Sequence, residues 1–347
     1  MADDAPYVSS RPALRVNGTV NDDLAKALLD VAVRAPDAGM ASAELRCVGW
    51  GDRPGKSTGF LFETIALGDK LEVAFGLATQ KTVFKGEITA IEERYGDGAP
   101  HIVLLAEDAL HRLARHRMSR VFENKSPNDI VNTLAGDAGL KADAKLSDAA
   151  GTYTQLNESN LHFLRRLAAR YAAAPRLVDD TIVCRAREAL PTPVTLDAGD
   201  TLKRVRVIAD LARQPGKVEV NGQDLEAGAA TNAAATSLLV PASGTTAATT
   251  LKRLGWDGDE TYAFPAPATQ TEATELASAA LDALGRRFLH GDLVCTGNPE
   301  LAVGSAVKLT GVSQRLAGSY AVVACAHLFD ETAGYQTYAR IERADSG

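Results

Sequence analysis

Three glycines, each beside a short alternating run, occur twice in this chain in the same order, and that repetition limits its fold more than any other feature. The first set is Gly68 before Leu71 and Val73, Gly86 before Ile88 and Ala90, and Gly98 before Ile102 and Leu104. The second is Gly304 before Val307 and Leu309, Gly318 before Tyr320 and Val322, and Gly334 before Thr337 and Ala339. Apolar residues two apart share one face of a strand, and glycine supplies the turns between strands. One antiparallel β module is therefore expected twice. The glycine spacings are 18 and 12 residues in the first copy and 14 and 16 in the second, so the connecting loops have drifted in length. A duplicated module would give one subunit two like faces with which to build a ring.

At 347 residues, 46% hydrophobic and 23% charged, the chain is long enough for two or three cores. No run approaches the roughly 18 apolar residues of a membrane span. The opening MADDAPYVSS has neither a basic n-region nor an apolar h-region, so a cytoplasmic protein is expected. Cys47, Cys184, Cys295 and Cys325 lie far apart in apolar or alternating stretches and read as reduced small hydrophobes, not as a disulfide framework or zinc knuckle. A net charge of −7 argues against a nucleic-acid binder for the chain as a whole.

Asn21 to Ala27 reads as a short capped helical turn, and alternation then predicts strands at Leu29 to Arg34 and Ala43 to Val48. Further strands are expected near 71–75, 82–92 and 101–106, the density of a small barrel or sandwich. From Asp108 the period lengthens. Ser126, Pro127 and Asp129 predict a helix start whose buried stripe is Ile130, Val131, Leu134 and Ala138. A second helix is predicted from Asn160 to Ala174, with Leu161, Leu164, Leu167 and Tyr171 inward. Strands return at Thr181 to Cys184, Leu202 to Leu211 and Lys217 to Val220. The Ala-, Gly-, Ser- and Thr-rich stretch from Glu226 to Thr250 offers little for a core and reads as exposed, and Thr271 to Phe288 reads as a helix.

Chemistry is sparse. In HRLARHRMSR (His111 to Arg120) the two histidines, His111 and His116, are five apart with no acid between them, which is no zinc-protease motif; the segment reads as a solvated helix flank. Glu158 precedes a helix start and could be imagined as the general acid of a muramidase, but glycoside cleavage needs a second carboxylate at fixed separation. Helix-start electrostatics account for it. GKSTG (Gly55 to Gly59) lacks the upstream glycine and following helix of a phosphate loop, and no serine sits in a nucleophile elbow. No catalytic, cofactor-binding or metal-binding residue is expected. A saccharide-binding β protein would offer aromatic platforms, yet aromatics are only 5% of the chain, with Trp50 and Trp256 the only tryptophans.

The segment Tyr153, Gln155, Asn157, Glu158, Ser159, followed by Leu161, Phe163, Leu164, Arg165, Arg166 and Leu167, resembles the Y-x-Q-x-N-E-S-[DN]-L-x-F-L-x-R-L signature of the bacteriophage late control gene D family. FKGEITAIE (Phe84 to Glu92) with Ala106 to Val131 is similar to that family's first barrel and its exit. Asn298 to His327 with Gly334 to Arg343 is similar to its closing barrel. The resemblance spans roughly residues 15 to 343.

It implies a tail baseplate hub, similar to the hub region of type VI secretion spike proteins. The implied fold is mainly β with α+β segments: two tube-protein-like antiparallel β-barrel domains joined by an α/β middle domain. The expected division is 10–107 for the first barrel, 108–190 for the middle domain, 191–225 with 290–345 for a split second barrel, and 226–289 for an insertion. The implied partners are two further copies in a homotrimer, a hexameric inner tube protein, a separate trimeric spike protein and other baseplate subunits, with no nucleic acid and no membrane insertion. Ring contacts are expected from Leu71 to Phe75, Val83 to Ile91, Val307 to Leu309 and Tyr320 to Cys325. Because the chain stops soon after the last matching block, the needle is expected to be another polypeptide. The alternatives are a tail-associated cell-wall hydrolase and a saccharide-binding β protein.

Overall fold

The computed structural model describes residues 11–53, 57–76, 79–96, 98–225, 227–256, 258–262 and 267–347. The opening ten residues, and Gly55 and Lys56 of GKSTG, lie outside the described residues.

β1 (Ala13–Val16) leads to α1 (Asp22–Ala27), where the Asn21 side chain accepts the Leu24 amide at 2.9 Å and caps the helix as its sequence predicts. β2 (Leu28–Ala35), β3 (Ser42–Val48), β4 (Lys70–Phe75), β5 (Lys81–Arg94) and β6 (His101–Glu107) follow. Their alternation gathers Val31, Val33, Leu45, Cys47, Leu71, Val73, Ile88 and Leu104 into one core.

The middle segment holds α2 (His111–Ala114), β7 (Arg117–Lys125), α3 (Pro127–Asp137), β8 (Lys141–Lys145), β9 (Gly151–Ser159), α4 (Asn160–Ala169), β10 (Arg176–Val178) and β11 (Thr181–Arg185). The Ser126 hydroxyl accepts the Asp129 amide and the Asp129 carboxylate accepts the Ser126 amide, each at 3.1 Å, with Pro127 in the first turn. Ile130, Val131 and Leu134 of α3 pack with Leu161, Leu164 and Leu167 of α4. HRLARHRMSR departs from its expected helix. It is helical only to Ala114 and enters β7 at Arg117, because pairing with β9 and burial of Phe122 outweigh local helix preference.

The rest comprises β12 (Val194–Asp197), β13 (Leu202–Ala209), β14 (Lys217–Asp224), β15 (Ala229–Ala235), α5 (Ala247–Leu254), β16 (Asp259–Tyr262), α6 (Gln270–Gly285), β17 (Leu289–Thr296), β18 (Ala306–Thr310), β19 (Gly318–Asp330) and β20 (Gly334–Arg343). β14, which its sequence groups with the closing module, pairs instead with β15 and β16. The stretch expected to offer little for a core supplies β15, and Ala235 joins Val218, Val220, Leu276 and Leu281 in a small core under α6. Alanine on a strand lets the helix approach closely enough to make that layer.

A 13-stranded sheet runs β13, β17, β20, β19, β2, β3, β6, β5, β4, β1 and the two residues Thr19–Val20, with β12 attached through β18 to β19. Within it lie two units of identical pairing, β4-β5-β6-β3-β2 and β18-β19-β20-β17-β13. The Gly68 amide donates to the Ile88 carbonyl and the Ile88 amide to the Asp69 carbonyl, both at 2.8 Å; Gly304 with Val322 and Val322 with Ser305 repeat these bonds at 2.9 Å. Gly68 and Gly304 have φ of +90° and +91°, the region that favours glycine. β5 bulges between Ile88 and Ala90, and β19 between Val322 and Ala324. β2 bulges between Leu28 and Asp30, and β13 between Leu202 and Arg204. Cys47 opposite Leu28 corresponds to Cys295 opposite Leu202.

The fold is mainly β as expected; among the described residues the 13-stranded sheet follows an open path, and no closed barrel is found in it. The edge of β2 that would be free to close the first unit is taken by β19 of the second. A sixth strand flanks each unit in opposite senses, β1 antiparallel to β4 and β12 parallel to β18.

Candidate assembly surface

One face of the long sheet packs on the two unit cores, the first around Leu45 and Leu71 and the second around Leu293 and Val307. The opposite face carries cross-strand ion pairs. Arg46 Nε meets Asp30 Oδ2 at 2.7 Å, Arg34 meets Glu44 at 3.9 Å and Arg340 meets Asp292 at 3.8 Å. These pairs are solvent-exposed or partly so, and each contributes only about 0.2–1 kcal/mol. Their effect is to keep the face hydrated rather than to hold the fold together.

Two of the four strands expected to make ring contacts, β4 and β18, are not edges. β4 lies between β1 and β5 and β18 lies between β12 and β19, whereas β5 pairs with β4 from Lys81 to Glu87 and with β6 from Glu87 to Arg94, so only Glu87 is paired on both sides. Leu71, Val73, Val307, Leu309 and Tyr320 spend their side chains on the cores. Alternation identifies a strand's buried face but says nothing about whether its backbone edges are taken. Open edges occur on β13 and on β5, and the expected stretch Val83 to Ile91 reaches into the latter. β13 pairs only with β17, and β5 beyond Ala90 pairs only with β6. β13 presents Lys203, Arg204 and Arg206 with no acid between them, a pattern that sequence could have flagged as a blunted edge.

Glu158 is 8% exposed at the entry to α4, where Ser159 caps the helix. His162 Nδ1 lies 2.6 Å from its Oε2 and Arg166 Nη2 lies 2.6 Å from its Oε1. Burial pushes its carboxyl up, but Arg166 and His162 outweigh that and hold it below the ordinary range. A glycosidase acid needs the opposite shift. Glu158 is also the sole carboxylate among the described residues lining a shallow surface hollow with Arg117, Asn157, His162 and Arg166.

His111 is buried with Nε2 at 2.7 Å from Glu87, whereas His116 is exposed, so the two histidines do not converge. The four cysteines are buried, and burial pushes each thiol up to about 12. Among the described residues no group of His, Cys, Asp and Glu could hold a metal ion. Trp50 packs edge-on against Phe60 at 4.8 Å, and Trp256 is 65% exposed with no ring against it among the described residues. The two tryptophans build no joint platform. A hollow of about 280 Å³ between the middle segment and the second unit is lined by Asp37, Arg176, Arg185, Arg187 and Arg286. Beside it Glu342, 4% exposed, takes Arg187 at 2.9 Å, Arg287 at 3.1 Å and Arg286 at 3.5 Å. That arrangement joins β20 to the residues after β11 and α6. It presents no nucleophile.

Among the described residues no helix is long and apolar enough to cross a membrane. Three tail-related structures share the architecture. A 43 kDa tail protein of prophage MuSo2 from Shewanella oneidensis is 14% identical over 97% of this chain and 99% of that one, with a TM-score of 0.70. A tail protein from Neisseria meningitidis is 13% identical over 96% of each chain, at 0.68. A component of the type VI secretion system from E. coli, described as structurally similar to phage T4 tail proteins gp27 and gp5, is 12% identical over 95% of this chain and 76% of that one, at 0.58. No curated protein matches the sequence. Residues 43–333 match the family described as phage tail baseplate hub (GPD), which covers most of the chain, from within β3 to the end of β19. The chain therefore belongs to the phage tail baseplate hub family.

Proposed function

We propose that this chain is a structural hub that assembles as a homotrimer and adapts a hexameric inner tube to a trimeric spike. The observation that supports it most directly is the duplicated five-strand unit, with its matched bulges and matched Gly68 and Gly304 hydrogen bonds. Three chains with two like units each present six similar surfaces to a sixfold partner and three to a threefold one. The role is assembly, not catalysis; the partners are tube, spike and other baseplate subunits. The chain folds and assembles in the bacterial cytoplasm before joining a tail or contractile particle.

Solution mass tests the reading. Light scattering on the purified chain should give about three times 36.6 kDa, and electron micrographs should show rings. A chain that remains a single copy both alone and with its spike would overturn it, and measurable peptidoglycan turnover would favour the hydrolase instead.

A further inference from the structure

Two equivalent junctions can form between the five-strand units, and the chain makes only one of them. β2 lies against the far end of β19, with Ala35 opposite Cys325, Arg34 opposite Ala326, Val33 opposite His327 and Ala32 opposite Leu328. In the second unit the counterpart of β2 is β13, matched by its bulge and by its pairing to the strand that carries Cys295. In the first unit the counterpart of that end of β19 is β5 beyond its bulge. Both are open edges, and they lie toward opposite ends of the sheet.

We propose that β13 of one copy pairs antiparallel with the free end of β5 on a second copy, in the register of the internal junction. Ala209 then faces Ile91, Ile208 faces Glu92, Val207 faces Glu93 and Arg206 faces Arg94. This rests on the hub reading for closure of the ring and deepens it by naming the edges that meet. The contact is heterologous, joining different edges of identical chains, so repeating it gives a ring when the rotation closes.

The chemistry of the two edges fits. β13 carries Lys203, Arg204 and Arg206, and neither arginine has an ion-pair partner among the described residues. The end of β5 carries the exposed acids Glu92 and Glu93 with one arginine, Arg94. Arg206 faces the like-charged Arg94 directly, and Glu92 stands on the diagonal between them, within reach of long side chains. Apolar surface waits on both sides, with Ile208 37% exposed on β13 and Tyr95 61% and Leu67 66% exposed beside β5.

Paired cysteines test the register. All four native thiols are buried, so an oxidant should link only introduced ones. Directly opposed strand residues have Cα separations of about 4.5–5.5 Å, inside the range a disulfide bridges. Ile208→Cys with Glu92→Cys in one chain should give covalent multimers ending at the closed ring on a non-reducing gel. Either change alone, or Ile208→Cys with Glu93→Cys, which points to the other face, should not. Arg204→Glu with Arg206→Glu should weaken assembly by about tenfold or more, with an unchanged circular dichroism spectrum. A chain that assembles but does not link at 92 and 208, or that assembles undiminished with both arginines reversed, overturns the junction and leaves the hub reading intact. A chain that never assembles overturns both.

Discussion

Phe75→Ala would remove the ring that ties the first unit to the second. Phe75 is fully buried on β4, and its ring stacks on Tyr335 of β20 with centroids 3.8 Å apart and planes 4° from parallel. His327 of β19 lies 6.4 Å away, and its Nδ1 is 2.8 Å from the Tyr335 hydroxyl. Truncating a buried phenylalanine costs about 3–5 kcal/mol in lost transfer energy and residual cavity. Unfolding entropy of about 2.1 cal/mol/K per residue over the whole chain turns about 4 kcal/mol into a fall of about 5 °C in Tm. If only the first unit of roughly 100 residues melted with this site, the same loss would give nearly 20 °C. Calorimetry of the variant therefore reports both the contact and the size of the cooperative block. A single transition lowered by about 5 °C is expected, because the continuous sheet couples the units. Phe60→Ala, at a ring 40% exposed, should move Tm by less than about 1 °C. A Phe75→Ala shift no larger than that of Phe60→Ala would refute the reasoning.

Gly68→Ala and Gly304→Ala should each cost about 1–2 kcal/mol, because both positions have left-handed φ. Gly304→Ala should cost more, since its new Cβ would stand 3.0 Å from the Arg176 guanidinium while that at Gly68 meets open space; equal urea midpoints would contradict this. Burial raises the Asp108 carboxyl from 3.8 to about 6, although the Ala41 and Leu110 amides donate to it. An acid whose pKa is higher folded than unfolded holds more protons in the native state, so its contribution is complete below the unfolded value and is lost as pH rises through about 6. Asp108→Asn should flatten stability against pH across that window by about 3 kcal/mol, and an unchanged slope in urea titrations would count against it. Glu342→Gln leaves Arg187, Arg286 and Arg287 around an uncharged amide and should cost about 3–5 kcal/mol by urea unfolding, with a loss below 1 kcal/mol as the contrary result.

The glycine pattern made the repeat legible but not its full register. Gly68 and Gly304 are equivalent, as are Leu71 and Val307, Val73 and Leu309, Ile102 and Thr337, and Leu104 and Ala339. Gly86 and Gly318 are not. Pairing sets Ile88 with Val322, so Gly318 corresponds to Phe84 and Gly86 to Tyr320. A slide of two residues leaves every side chain on its original face, which is why hydrophobic alternation cannot detect it. The kinship of β2 with β13 was hidden for another reason. It lies in a shared bulge opposite Cys47 and Cys295, and no turn glycine marks it. β14 misled because Val218 and Val220 alternate equally well in a small separate sheet. Long-range pairing decides which sheet a strand joins. Glu158 was legible as a helix-entry acid, but the clamp by His162 and Arg166 needed the return of β9 into α4 to become visible.

The two kinds of junction also differ in what they ask of an unassembled chain. Inside the chain, His327 and Phe329 sit at the seam with Tyr335 and Phe75, a buried aromatic contact formed once the chain folds. At the open edges the counterparts of His327 and Phe329 are Glu93 and Tyr95, and the seam is polar. An aromatic edge left open on each newly made copy would pair with any strand it met. Charges restrict that choice. Two β13 edges would set Arg204 and Arg206 against like charges, whereas the mixed pairing brings Arg206 within diagonal reach of Glu92, so self-pairing of β13 is opposed. Such an interface weakens with salt, because exposed charges are screened beyond about 10 Å at 0.1 M. Raising salt should therefore dissociate rings at concentrations that leave Tm of the single chain unchanged. Rings that tightened with salt would mean that apolar contacts, not these charges, select the partner edge.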